Sequence, residues 1–223
     1  PIVLALFKEK PEATEVAQTQ ETSNQMQSWG LTIREAVRTK QFWILGAVLF
    51  LTVIVVAGWV SNFERIMTEQ GFQRSSIAQI AAVMGLTVIL GRLMVGALVD
   101  RLWAPGVAAC FFLVATLGLL ILIMTQVTLA SALVVAVMVG LAAGAELDLL
   151  AYLTGKYFGP AHYPAVFGVI IAFFTVGAGM APPIFGMAAQ VFQGYETVLM
   201  ISVGLLLLSI VLFLSLGRYP DEE

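Results

Sequence analysis

From Leu102 to Ala145 the chain runs for 44 residues without one charged side chain. A bilayer crossing takes about 20 apolar residues, so the run is too long for one membrane helix and right for two. A polar notch at Thr125, Gln126 and Thr128 divides it. The composition agrees, since 60% of residues are apolar and 11% charged, with mean hydropathy +0.95. A soluble domain carries about 25% charged residues, so this chain reads as an integral membrane protein. A net charge of −3 and a pI near 5.2 supply no basic field for phosphates and exclude a nucleic-acid partner. The single cysteine, Cys110, permits no internal disulfide and no cysteine-based metal site.

Four further apolar stretches complete six expected spans: Gln41 to Phe63, Ser75 to Val99, Pro164 to Gln190 and Thr197 to Gly217. The second helix of the long run extends to about Leu153 despite Glu146 and Asp148. Because the runs are continuous and do not alternate, strands are excluded. The expected organisation is a remnant of a preceding membrane helix at 1–7 and a cytoplasmic linker with a short interfacial helix at 8–40. A six-helix bundle follows at 41–217, then a tail at 218–223. Residue 1 is Pro, with no charged region before the apolar stub, so a signal peptide is not expected. Thr32-Ile33-Arg34-Glu35 is a capping-box pattern ahead of the interface aromatics Phe42 and Trp43.

With the linker on the cytoplasmic side, Lys8, Lys10, Arg34, Arg38, Lys40, Arg101, Lys156 and Arg218 fall inside. Only Arg65 and Arg74 fall outside, the asymmetry expected of the positive-inside rule. The linker and C-terminus are therefore read as cytoplasmic, in a plasma or bacterial inner membrane.

Three ionisable residues stand within the spans. Arg92 lies about two turns before the end of the second, where a guanidinium costs about 2.5–3.5 kcal/mol on insertion scales. Either it snorkels to headgroups or pairs with a carboxylate, or it faces a wet cavity and grips an anion in bidentate fashion. Glu146 and Asp148 lie at a similar depth in the fourth span. Two positions are about 200° of helix rotation, so they face different partners. One reading makes them a charge network that holds the bundle shut, and the other gives one of them a coupling proton. Gly140, Gly144, Asp148 and Tyr152 recur every fourth residue, and the glycines let another helix approach, which turns Asp148 toward protein. Pro182 and Pro183 remove two backbone donors from the fifth span and are expected to bend or break it. Glu64 and Glu69 read as solvated at the outer mouth. Catalytic signatures such as His-Glu-x-x-His, Gly-x-Ser-x-Gly or a phosphate-binding loop do not occur, so neither an enzyme nor a cofactor or metal is expected.

The stretch Gly96-Ala97-Leu98-Val99-Asp100-Arg101 after the second span resembles the loop motif of the major facilitator superfamily, where its second six-helix half repeats it. The resemblance implies an all-α membrane fold, a bundle of two inverted three-helix repeats, as the C-terminal half of a transporter. It makes Gly96, Asp100 and Arg101 a cytoplasmic gate motif. Asp100 would face the start of the fifth span, and Arg101 would join Glu146 or Asp148. Leu102-Trp103-Ala104-Pro105 follows in place of the usual basic cluster. The segment Gly144 to Gly159 resembles the tenth helix of the oxalate/formate antiporter-like and monocarboxylate-transporter branch, and Arg92 falls where that branch has an anion-binding Arg. The fifth span has no Lys to match the second cation of the oxalate exchangers. Val88 stands where proton-coupled monocarboxylate carriers have an Asp. An internal echo, Thr87-Val-x-x-Gly91-Arg92 against Thr175-Val-x-x-Gly179-Met180, joins the middle helices of the two repeats and makes Met180 the counterpart of Arg92.

The expectation is thus a secondary transporter of a small organic anion, a monocarboxylate, working by alternating access. Its partners would be the lipid bilayer, the substrate and an N-terminal half. The rivals are an efflux permease for a neutral or drug-like solute and a non-transporting scaffold or receptor subunit.

Overall fold

The computed structural model describes residues 29–124 and 127–219. The helix remnant at 1–7, the linker to residue 28, Thr125, Gln126 and the tail from residue 220 lie outside the described residues. Within them the chain is all helical. A short α1 (Ile33–Ala36) precedes six long helices: α2 (Lys40–Glu69), α3 (Arg74–Val99), α4 (Ala104–Met124), α5 (Leu129–Phe158), α6 (Tyr163–Val191) and α7 (Glu196–Ser215). All six are long and apolar enough to cross a membrane. Backbone groups have no water to bond in hydrocarbon, so only helices satisfy them locally.

Polar side chains mark the helix ends. The Glu35 carboxylate accepts from both the N–H and the hydroxyl of Thr32, each at 2.8 Å, which caps α1 as its sequence pattern requires. Thr39 accepts from Phe42 N–H to start α2, and Thr128 accepts from Ser131 N–H to start α5. At this end of the bundle the chain entering α1 docks on the α5–α6 turn. Leu31 N–H donates to Phe158 O at 2.8 Å, and Ala161 N–H donates to Trp29 O at 3.3 Å. Gly159 makes the turn at φ +78, where a Cβ would press on Trp29 and Gly30. Trp43 donates its indole N–H to Val37 O at 2.9 Å, tying α1 to the first turn of α2.

The heaviest packing is α3 on α5 and α2 on α6. Exchanging the first three spans for the last three converts one pair into the other. The same exchange maps the α4–α7 and α2–α5 contacts onto themselves. Two three-helix units thus interlock by a pseudo-twofold, with α2 and α5 central, α3 and α6 on the flanks, and α4 and α7 behind. An odd number of spans per unit makes the units inverted.

Burial fixes the register of the repeat. On α3 the inward stripe includes Thr87, Gly91 and Val95, and on α6 it includes Gly177, Ala181 and Phe185. Thr175 and Gly179 are exposed, so the letter echo with Thr87 and Gly91 is two positions, about 200°, out of register. In the structural register the counterpart of Arg92 is Pro182, not Met180.

Candidate functional site

Arg92 sits on the outward side of α3 while its backbone is held tightly inside the bundle. The reason is Gly144 on α5. A Cβ there would meet the Val88 carbonyl and lie 3.1 Å from Arg92 N. Gly91 and Gly140 open the same seam, each reaching the backbone of the facing helix. The glycine stripe therefore does bring α3 against α5, and it brings Arg92 to the depth of the Gly144–Asp148 turn. The Arg92 side chain itself is exposed and, among the described residues, has no ion-pair partner.

The face that carries it differs from the other outward faces. Only 22% of the spanning windows of α3 and α6 is buried, against 61% for α2 and 56% for α5. The outward residues of α3 include Gln79, Ala82, Gly85, Arg92 and Gly96, and those of α6 include Ala172, Thr175, Gly179 and Pro183. The same two helices also turn out Leu86, Ile89, Leu90, Leu93 and Met94 on α3 and Val176, Met180 and Met187 on α6, as α4 turns out Leu113, Leu117 and Met124 and α7 turns out Met200, Leu207, Leu208, Val211 and Leu214. What sets the α3 face apart is Arg92, a charge standing among exposed apolar residues.

Glu146 and Asp148 are divided as the helix rotation requires. Glu146 is 3% exposed, in the core between α2 and α5. The Thr52 hydroxyl lies 2.7 Å from its Oε1, donating to it, and is also 3.2 Å from the Leu49 carbonyl. Asp148 is exposed, so the stripe that buries Gly140 and Gly144 does not carry through to it. Among the described residues neither carboxylate forms an ion pair, and the expected link between Arg101 and Glu146 or Asp148 is absent. Arg101 is exposed beyond the end of α3, while Glu146 is sealed behind the α3–α5 seam.

The gate motif is likewise outward. Gly96 has open space around its Cβ position, and Asp100 is the exposed C-cap of α3. Among the described residues no hydrogen bond joins Asp100 to the start of α6. Its helix cannot offer one, because the pseudo-twofold sets α3 and α6 on opposite flanks, leaving Asp100 and Arg101 to whatever packs in front.

Pro182 and Pro183 do not break α6, which is helical from Tyr163 to Val191. The polar group beside them is Asn62, buried in α2. Its Nδ2 donates to Gly58 O at 2.9 Å and to Pro182 O at 3.5 Å, and its Oδ1 accepts from the Tyr195 hydroxyl at 3.0 Å. Glu69 is not merely solvated, for it accepts the Tyr195 N–H at 3.2 Å. Sequence reasoning passed over Thr52, Asn62 and Tyr195. A carboxamide inside an apolar run was the available signal, since such a group needs partners in hydrocarbon. Near this end, an open cleft of about 990 Å³ is lined by Glu64, Arg65, Thr68, Glu69, Phe72, Gln73 and Arg74. It lies at the α2–α3 turn, away from Arg92.

The sequence profile of the Major Facilitator Superfamily matches residues 2–154 and again residues 66–223. The chain belongs to the Major Facilitator Superfamily. No curated protein matches it. Its six spans form half of a major facilitator fold, and membership makes it part of a multi-pass membrane transporter, a family of carriers and not of enzymes.

Proposed function

We propose that the chain is the C-terminal half of a secondary transporter for a small monocarboxylate, working by alternating access, with Arg92 as the anion-binding group. One observation carries the reading: a guanidinium without a partner among the described residues, on a helix whose backbone is locked into the bundle by Gly144. A cation held at that depth without a counter-ion suits an anionic visitor better than a fixed pair does. With Pro182 at the matching position of the other repeat and no Lys in α6, the half offers one positive charge, which suits a monoanion better than a dianion. Arg34, Arg38, Lys40, Arg101, Lys156 and Arg218 share the α1 end of the bundle, which supports a cytoplasmic assignment for that end. Asp100 and Arg101 would latch that side against an N-terminal half.

The test is uptake of ¹⁴C-labelled acetate, lactate and pyruvate by the full-length transporter containing this chain, with Arg92→Ala and Arg92→Lys variants. A charge-assisted pair contributes about 1.5–3 kcal/mol, so Arg92→Ala is expected to lower carboxylate uptake roughly 10- to 150-fold. Lys should restore a fraction, since it keeps the charge and loses the fork. Unchanged carboxylate uptake in the alanine variant would remove Arg92 from the site and favour a neutral-solute permease.

A further inference from the structure

The open cleft of about 990 Å³ at the α2–α3 turn plays no part in the anion reading. It gathers the charge of its end of the bundle. Opposite α1, Arg65 and Arg74 are the only cations among the described residues, and both line the cleft. The acids described at that end are Glu64, Glu69 and Glu196, and the first two line it as well. Among the described residues no ion pair joins any of these groups. The Arg65 side chain reaches toward bare Gly186 of α6, whose Cβ position would be 3.9 Å from its Nη1. Four charges of both signs thus share one open space and keep their hydrogen-bonding capacity free.

Position and sign restrict the ligand. The 30 residues of α2 span about 45 Å at 1.5 Å each, which matches the hydrocarbon and both headgroup layers together. Its last turns, with Glu64 to Glu69, therefore stand among headgroups. A simple anion there would meet Glu64 and Glu69 as well as the two arginines, and a simple cation the reverse. A zwitterion satisfies both signs. For its negative end the guanidinium forks suit a phosphate. The first turn of α3 adds backbone N–H groups beside Arg74, because its N-cap Gln73 makes no side-chain cap bond. For the positive end, Glu69 gives one oxygen to Tyr195 N–H at 3.2 Å and keeps the other. The Thr68 hydroxyl donates to Glu64 O at 2.6 Å, which leaves its lone pairs to accept. Such acceptors suit a primary ammonium with its three N–H donors. A quaternary ammonium would call for an aromatic cage, and Phe72 is the one aromatic residue described on the wall.

We propose that the cleft is a binding site for a zwitterion carrying a phosphate and a primary ammonium, the headgroup chemistry of phosphatidylethanolamine and of free phosphoethanolamine. Arg65 and Arg74 hold the phosphate, and Glu64, Thr68 and Glu69 hold the ammonium. The site does not depend on the monocarboxylate reading. Arg92 stands eighteen residues further along α3 than Arg74, about 27 Å away.

The experiment titrates the delipidated full-length transporter in maltoside micelles and reads bound molecules by native mass spectrometry. The probes are phosphatidylethanolamine, phosphatidylcholine and phosphatidylglycerol of equal chain length, and water-soluble phosphoethanolamine. Phosphatidylethanolamine should bind about fivefold or more tightly than either other lipid, a modest ratio because the charges are exposed. Glu64→Gln removes an acceptor for the ammonium and should cut the preference over phosphatidylglycerol to about twofold or less. Arg74→Gln should weaken all three lipids by about threefold or more, since each carries a phosphate; Arg65→Gln takes its place if that variant does not fold. A merely structural role would not make one variant change the preference and the other the affinity. Equal binding of the three lipids by wild type overturns the proposal, and so does an unchanged preference in Glu64→Gln. Phosphoethanolamine that binds within about threefold of the lipid assigns the site to a soluble zwitterion, and weaker binding assigns it to the lipid.

Discussion

The α3–α5 seam gives the sharpest structural prediction, because one methyl group should wedge it open. In Gly144→Ala the new Cβ would meet the Val88 carbonyl, with the carbonyl carbon at 2.9 Å and Arg92 N at 3.1 Å. Comfortable carbon contacts lie at about 3.5–4.0 Å, so the helices must part by roughly 1 Å, and both obstructing groups are backbone that cannot rotate away. Overpacking of this kind costs about 1–3 kcal/mol, while alanine returns about 0.5–1 kcal/mol over glycine in a helix. Gly204→Ala on α7 is the matched control, since a Cβ there meets nothing within 4 Å and only the helix gain remains. The two variants should therefore differ by about 1–3 kcal/mol, or roughly 2–12 °C in Tm at about 2–4 °C per kcal/mol for a unit of this size. Thermal melts of the detergent-solubilised full-length protein read the difference. Arg92 rides on the displaced helix, so carboxylate uptake should fall severalfold in Gly144→Ala and stay level in Gly204→Ala. If Gly144→Ala melts at or above Gly204→Ala, the close approach of α3 and α5 is wrong, and with it the position assigned to Arg92.

Two other perturbations test the ends of the bundle. Removing the carboxamide in Asn62→Ala leaves the Tyr195 hydroxyl without its acceptor and should cost about 1–3 kcal/mol, whereas Tyr195→Phe should cost about 0.5–1.5. In a double-mutant cycle of thermal melts the pair should cost less than the sum, and strict additivity would deny the contact. At the other end, the Thr32 N–H and hydroxyl hold the Glu35 carboxyl below its ordinary 4.5. A lowered folded value means the bond helps α1 above pH 4.5 and is lost as pH falls through the lowered value. The protection factors of the Ala36 and Val37 amides, exchange corrected for its intrinsic pH dependence, should therefore hold down to about pH 4.5 and fall below it, starting at a higher pH in Thr32→Val. Protection that ignores pH across that window would refute the capping role.

What could be read from the letters was whatever rests on long-range averages. Six spans follow from charge-free runs, and the α1 cap follows from Thr32 and Glu35, because both are local consequences of desolvation and of unpaired N–H groups. The glycine spacing on α5 also carried over to the α3 contact, since close helix approach demands small residues wherever it occurs. Side-chain fate beyond that was not legible. Asp148 follows Gly144 on the same stripe yet emerges at the surface, although α3 runs on to Val99, since each four-residue step carries the stripe about 40° further round the helix. Glu146, one letter from apolar neighbours on both sides, finds Thr52 ninety-four positions away, and no pattern in either segment announces the meeting. The prolines of α6 did not interrupt it. The carbonyls that lose their donors, those of Ala178 and Gly179, stand in a helix whose course is held by its packing on α2.

The repeat shows why letter matching misplaced the partner of Arg92. Thr and Gly serve helix seams in both units, so a matched pair of them is easily found in more than one register, whereas burial is set by which side of the cylinder meets the neighbour. Sliding by two positions sends the matched residues to nearly the opposite face, and the exposed Thr175 and Gly179 record that. In the register that burial demands, the two flanking helices share a backbone arrangement but not a chemistry. At one position α3 has a guanidinium and α6 has a proline. A two-unit bundle with matching folds and unmatched charges cannot treat its two flanks alike, and under the proposed reading the α3 side would meet the anion by charge and the α6 side by shape alone. Under the proposed anion reading, that asymmetry is where selectivity for a single negative charge would reside.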